Sequence, residues 1–440
     1  MSTIPSLALI PSGVKASKVY SVLPTDGSGD FDFTRSGNAT RVNSDGLIEL
    51  VTTNVPRLNY PLIDGVVNGC PSLLLEPLRT NLIQYSEDFS QGYWTKSGSS
   101  VVSGFTSPDG TTNAFKLVED TANSTHTILN NSITTSGSAS SSIYAKYLSR
   151  YLRLTIHDTT NPFEWYSVIY DLQNGNIYDS LARTVTVFDS KIEQMTDGYY
   201  KCVITADLGV SSGTRLYVQL SDGTPISLGD DRGRGVYQGD GTSGIYIWGA
   251  QLEEGSYPTS YIPNYGTALG ATRSAETCNN AGDANTFNDS EGVLFAEISA
   301  FDDSTKQFSI SDGTSASSVK FLYLSGNVFS FQVRDNFVTQ CTINNTLTNV
   351  NETIKAAAKY KQNDFVLWVN GFKVGQDTIG TVPIGLSELA YDDGGGGSPF
   401  YSSTKQIQYF NTALNDSDLE TLTSWDSFSD MAIGQLYTIE

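Results

Sequence analysis

A chain of 440 residues is too long for one small core and suits two or three domains at ~150 residues each. Only 39% of residues are hydrophobic and 17% charged, while Ser, Thr, Asn and Gly join 24 Tyr and 20 Phe, a mixture that favours strands and turns and excludes a disordered chain. A formal net charge of -21 repels phosphate backbones and anionic bilayers, which argues against nucleic-acid binding and membrane insertion, although an acidic surface also serves plain solubility.

The chain opens on Met1–Gly13 with Pro5 and Pro11 inside a short apolar run and no basic start. A secretion signal is therefore not expected, and the protein is expected to be made in a cytoplasm. Turn signals follow quickly at Thr25-Asp26-Gly27, Ser28-Gly29-Asp30 and Ser44-Asp45-Gly46. Short strands are expected at Phe31–Thr34 and Gly46–Leu50, ahead of a stretch punctuated by Pro56, Pro61, Pro71 and Pro77. Residues 1–80 thus read as an irregular attachment arm or small β region that docks on a neighbouring subunit.

From 81 to 265 the pattern becomes regular. Ser142–Lys146, Leu152–Ile156 and Leu216–Leu220 alternate with period two. Asn174-Gly175 marks a hairpin after Ser167–Leu172, and Gly244–Trp248 reads as a strand buried on both faces. Residues 266–440 form a third block, with strands expected at Val293–Ile298, Lys320–Leu324 and Val328–Val333. Its clearest hairpin is Phe365–Val369, Asn370-Gly371, Phe372–Val374. Asn415–Asp418 ahead of Leu419–Leu422 resembles a short N-capped helix, and Asp393–Ser398 a flexible loop. The fold class is all-β: tandem antiparallel β-sandwiches, or jelly rolls, after an irregular N-terminal anchoring region.

Motifs that carry chemistry are scarce. Cys70, Cys202, Cys278 and Cys341 stand far apart, and His126 and His157 are the two histidines, so isolated buried thiols are expected rather than a zinc site or disulfide scaffold. Asp230-Asp231 beside Arg232 reads as a solvated loop, and His157-Asp158 sits where a strand meets a loop, which does not suit a catalytic triad. No nucleophile elbow, metalloprotease or phosphate-loop motif occurs, and no enzyme is expected. Aromatic rings beside polar loops suit sugars better. Trp165 and Tyr166 after His157–Glu164, and Tyr237 with Asp240, are the candidate glycan-binding residues. The plainer alternative, Trp165 and Tyr166 packed in the sandwich core, outweighs that reading for those two. No cofactor is expected. Structural calcium is a weak option, with Asp302-Asp303, Asp364 and Asp392-Asp393 as donors.

Three stretches resemble landmarks of tailed-bacteriophage structural proteins known as head fibre, head spike or tail fibre proteins. They are Phe33–Ser36 with Ala39–Glu49, Cys70–Leu82, and Trp248–Pro263. In that family a carbohydrate-binding-module-like jelly roll lies between the second and third landmarks. Tyr85–Ser90 with Trp94 resembles its opening strand and Asp197–Cys202 a central one. Val369-Asn370-Gly371 and Phe410–Asp416 are similar to a laminin-G or concanavalin-like lectin fold. The landmarks themselves read as architectural, with Pro258 and Pro263 holding an extended linker around Tyr261.

The resemblance implies a virion-surface structural protein, a head (capsid) fibre or decoration appendage that displays lectin-like domains to host-surface glycans. The alternatives are a tail fibre or receptor-binding protein and, further off, a capsular depolymerase. Implied partners are capsid, portal or tail proteins, reached through the N-terminal region. A homo-oligomer, dimer or trimer, is expected by analogy.

Overall fold

The computed structural model describes residues 4–424, the side chains of 210–212 excepted. The described chain is all-β: its helical elements are Asp416–Ser424 and the single 3-10 turns Thr196–Gly198 and Asp231–Gly233. Among the described residues, no helix is long and apolar enough to cross a membrane.

The first sandwich turns on one long strand, Tyr199–Ser221. Its first half pairs with Ile133–Tyr147 and Thr186–Gln194, its second half with Tyr151–Asp158 and Thr127–Leu129. The strand therefore passes from one sheet to the other and joins them. Alternation does the rest: Ile143, Ala145, Cys202, Ile204, Ile245 and Ile247 of one sheet face Leu152, Leu154, Ile156, Val168, Leu216 and Val218 of the other in one core.

The second sandwich faces a five-stranded sheet, built around Lys306–Ser311, Ser318–Leu324 and Val328–Asp335, onto an eight-stranded one. Its larger sheet contains strands from the start of the chain. Leu7–Leu9 and Ser72–Leu75 both pair with Ser402–Phe410, and Arg57–Asn59 pairs with Ser72–Leu75. Leu7, Leu9, Leu73 and Leu75 lie in the same core as Phe308, Phe321 and Ile407. The sequence pattern reads residues 1–80 as an arm; these segments are instead built into a sheet whose other strands lie 200 and more residues away. The reason is physical: Ser402–Phe410, buried along most of its length, would otherwise end the sheet as an open edge.

The same N-terminal region also covers the first sandwich. Ile48, with Val42 and Leu62 packed alongside, lies on the outer face carrying Tyr144, Tyr199 and Trp248. Where the pieces meet, five buried charged groups interlock. Arg57 binds Glu276 through two nitrogens and donates to Glu76 at 2.7 Å; Arg273 reaches Glu76 at 2.9 Å and Arg35 reaches Glu276 at 2.8 Å. Arg35 and Glu76 come from two of the landmark stretches, and Ser260 of the third donates to Glu76 at 2.6 Å.

Local features match their chemistry. Asn370 and Gly371 have φ of 49° and 82°, as a tight primed hairpin turn requires. Asn415 accepts the backbone N–H of Asp418 at 3.0 Å, capping Asp416–Ser424, which buries Leu419 and Leu422 against Val293, Phe295 and Trp368. Cys202, Cys278 and Cys341 are buried free thiols; Cys70, expected to be buried as well, is exposed.

Candidate functional site

The four residues singled out in the sequence do not form one surface. Trp165 and Tyr166 are consecutive in the strand Trp165–Asp171, so they face opposite ways. Tyr166 packs inward in the sandwich core, and Trp165 is fully covered on the outer face. The two rings form no paired edge, and the plainer alternative of core packing describes Tyr166. Tyr237 and Asp240 are brought together, but as parts of a brace. The Tyr237 hydroxyl donates to Glu119 Oε2 at 2.6 Å, Arg150 donates to Glu119 and to Asp240, and His126 lies 4.5 Å from the Tyr237 ring. Asp240 also accepts the backbone N–H groups of Thr242 and Ser243, and its hydrogen bonds with these two residues hold its carboxyl below the usual range. Burial and then the Glu119 carboxylate push the Tyr237 hydroxyl far up.

The acidic residues weighed for calcium are engaged as well. Asp302 pairs with Lys306, Asp364 with Lys359, and Asp392 accepts from Asn279 at 2.7 Å. Among the described residues, no three His, Cys, Asp or Glu converge as metal ligands would.

The structure offers a different site, at the junction. Register sets Tyr144 opposite Lys201, and Lys201 opposite Glu193, across three neighbouring strands. This row floors a cavity of about 320 Å³. Thr40, Arg41 and Asn59 of the N-terminal region, Tyr257–Tyr261 of the linker, and Phe301 and Asn351 of the second sandwich close it. A hollow of about 580 Å³ continues from it past Glu193 and Asn59, walled by Tyr60 and Tyr200, by Asp64, and by the Asn174-Gly175 turn.

The electrostatics of the cavity divide its groups. Glu76 is spent: burial works to raise its carboxyl, but Arg273, Arg57 and Ser260 outweigh that and hold it far below the usual range. It cannot serve as a proton donor near neutral pH. Glu193 has no ion-pair partner among the described residues. Burial pushes the Tyr144 hydroxyl up to about 12, so it stays a neutral donor. Burial works to lower the Lys201 ammonium, but Tyr144, Glu193, Glu253 and Glu76 outweigh it and its pKa is raised. Lys201 gives one proton to Thr259 O at 3.1 Å and keeps the others for a ligand. The site therefore presents a hydroxyl, an ammonium and a carboxylate in one line, with Tyr60 along the continuation.

Nothing local in the sequence marks Tyr144, Lys201 and Glu193 as a group. The alternation around Ser142–Lys146 assigns Tyr144 a face, but its cross-strand neighbours follow from pairing with residues more than 50 positions away.

No family model and no curated protein matches the chain. Among solved structures it is similar to the CBM40 of the Ruminococcus gnavus IT-sialidase bound to α2,3-sialyllactose, at 15% identity over 33% of this chain and 92% of that one, with a TM-score of 0.29. It is similar to a heptameric SAP-like pentraxin from Limulus polyphemus, at 12% identity over 31% of this chain and 71% of that one, with a TM-score of 0.25. Domains LG4-5 of the mouse laminin α1 chain are similar over 80% of this chain and 96% of that one, at 10% identity and a TM-score of 0.22.

Proposed function

We propose that the chain is a non-enzymatic structural protein of a bacteriophage particle, a head fibre or capsid decoration that binds host-surface glycans weakly in its junction cleft. The observation that carries the binding half is the in-register row Tyr144, Lys201, Glu193 lining one cavity with Tyr257–Tyr261 and Phe301. It supplies donors and an acceptor for hydroxyl groups, and Tyr60 supplies a flat apolar face beside it. The structural half is supported by the buried charge joint. Landmark residues that resemble those of phage appendages fix the two sandwiches to each other, which suits a stiff projecting element. In this reading the N-terminal region carries attachment to other virion proteins, and copies assemble as a symmetric homo-oligomer.

Binding at one such site is expected at a Kd on the order of 0.1–1 mM, or ~4–5 kcal/mol. Many copies on one particle convert that into firm adhesion. A glycan array probed with the full chain should show signals that fall at least ~tenfold in Lys201→Met and Glu193→Gln, each removing a charged hydrogen-bonding group. Purified particles should contain the chain in a fixed ratio to the capsid protein. Release of reducing sugar ends from host capsule, or absence of the chain from particles, would overturn the reading.

A further inference from the structure

The junction cleft divides by charge. Its cavity of about 320 Å³ holds the Lys201 ammonium beside the Tyr144 hydroxyl. The hollow of about 580 Å³ that continues from it is lined by Asp64 and Glu193 and, among the described residues, by no lysine or arginine. Val42, Asn59, Glu193 and Met195 line both spaces, so one ligand can lie across the two.

We infer that the hollow binds the protonated amine of an amino sugar, held between Asp64 and Glu193, in a saccharide whose hydroxyl groups meet Lys201 and Tyr144. This rests on the glycan reading of the cleft and adds a charge requirement to it.

The two carboxylates are accessible and uncommitted. Asp64 and Glu193 are both exposed, and among the described residues neither makes an ion pair or accepts a hydrogen bond. Cations close by in sequence or register are engaged elsewhere: Lys191 pairs with Asp189 at 2.8 Å, and Lys201 donates to Thr259 O at 3.1 Å. Asp64 is set in place by its turn. Asp64-Gly65 joins the strands Leu62–Ile63 and Val66–Val67 with φ of 51° and 74°, as a primed turn requires. Gly65 lies so close to the chain beyond Glu193 that a Cβ there would sit 2.5 Å from Met195 O. The turn thus carries a carboxylate of the N-terminal region to the strand that bears Glu193.

Tyr200 points to a ligand independently. It is 9% exposed and lines the hollow, yet its hydroxyl has no hydrogen-bond partner among the described residues. Burial, then Asp171, Cys202 and Asp64, push that hydroxyl up, so it stays a neutral phenol with lone pairs to offer. A buried polar group that faces a cavity calls for a partner from whatever fills it. The charged and aromatic groups here all attract a cation. Two carboxylates of one sign focus the field inside a walled space, and the ring of Tyr60, half-buried in the same wall, adds a face for an ammonium. Among the described residues no further His, Cys, Asp or Glu joins them in a metal-ligating group, so the pair does not suit a metal ion. Pro61, Leu62 and Ile192 supply an apolar wall for the C–H face of a sugar ring.

The test titrates the full chain, at a mildly acidic pH that keeps the amines protonated, with a chitosan tetrasaccharide, with its fully N-acetylated form, and with tetralysine. The amino form should bind at least ~tenfold tighter than the N-acetylated form, as one charge-assisted contact implies. Asp64→Asn, which the left-handed turn position tolerates, should abolish that preference and leave affinity for the N-acetylated form unchanged. Glu193→Gln should weaken both forms, and Lys201→Met should weaken both while keeping the preference. Glu420→Gln, exposed on the helix of the second sandwich, should change nothing, which separates the hollow from the general pull of a chain with net charge -21 on any polycation. Equal binding of the two tetrasaccharides, a preference that survives Asp64→Asn, or one that falls as much in Glu420→Gln would overturn the inference and leave the glycan reading standing. Binding of neither tetrasaccharide would overturn both. Tetralysine bound as tightly as the amino form, with the same dependence on Asp64, would assign the hollow to a basic peptide and overturn the amino-sugar inference.

Discussion

Glu276 is held between two guanidiniums with no exposed surface, and Glu76 between two more contacts of the same kind. Burying such ions has a large desolvation cost, which the mutual pairing offsets only while every partner is present. Glu276→Gln should therefore destabilise the chain by about 3–5 kcal/mol, leaving Arg35 buried without its counter-charge and Arg57 with Glu76 alone. The pH dependence follows from Glu76, whose carboxyl is held far below its ordinary value of 4.5. A depressed carboxylate contributes stability that is present above the ordinary value and is lost as pH falls below it. Denaturant midpoints should drop as pH is lowered through that region, and Glu76→Gln, though less stable at pH 7, should show a flatter decline. An identical decline in both proteins would mean that Glu76 is not the titrating group. At this scale the sequence is half legible. Arg35 and Glu76 stand inside landmark stretches that read as architectural, but Arg57 and Glu276 bear no local mark. Trp165 and Tyr166 show the reverse case: strand parity alone places consecutive residues on opposite faces, so the two rings cannot share one binding surface.

At the scale of elements, local chemistry is readable wherever a turn or cap demands a residue type. The Asn370-Gly371 turn has positive φ at both positions, and Val369 pairs with Phe372 across it. A side chain at Gly371 would be strained by φ of 82°, and its Cβ would lie 2.6 Å from Ser424 Oγ at the end of the helix. Gly371→Val should cost roughly 1–2 kcal/mol, from the left-handed conformation alone. Asn370→Gly should stay within a few tenths, since glycine adopts the same φ freely. The measurement is the melting temperature of the full chain, and an unchanged value for Gly371→Val would remove the turn assignment. What sequence patterns do not show is which strands become neighbours. Asp197–Cys202 and Leu216–Leu220 read as separate strands, yet Tyr199–Ser221 runs as one element through two sheets, because each half finds a different set of partners.

The whole molecule differs most from a string of modules. Strands from residues 7–75 complete the sheet of the second sandwich, while 42–62 lie on the first, so the start of the chain belongs to both. Sequence patterns carry no signal for this, since pairing between Leu7–Leu9 and Ile407–Tyr409 spans about 400 positions and rests on a backbone edge that any strand could cover. Leu7, Leu9, Leu73 and Leu75 are fully buried in the second core, each contributing ~1.5–3 kcal/mol by burial. Together that is comparable with the ~5–15 kcal/mol that holds an ordinary domain folded. A fragment of residues 266–440 lacks these side chains and also exposes the Ser402–Phe410 edge to other chains. It should be poorly folded or self-associating by size-exclusion chromatography and circular dichroism. Adding residues 1–80 as a separate polypeptide should restore a monomeric β spectrum, because the missing strands can pair without being covalently attached. If the fragment alone is monomeric and melts near the temperature of the full chain, the N-terminal strands decorate the sandwich instead of completing it. Fragment 81–265 makes the contrast: its two-sheet core of Ile143, Leu154, Val168 and Val218 is drawn from within its own bounds, so it should stay folded when cut out, with the face bearing Tyr144 and Trp248 newly exposed. That face should then bind a hydrophobic dye that the full chain does not, and the dye signal should vanish when residues 1–80 are present in the same chain.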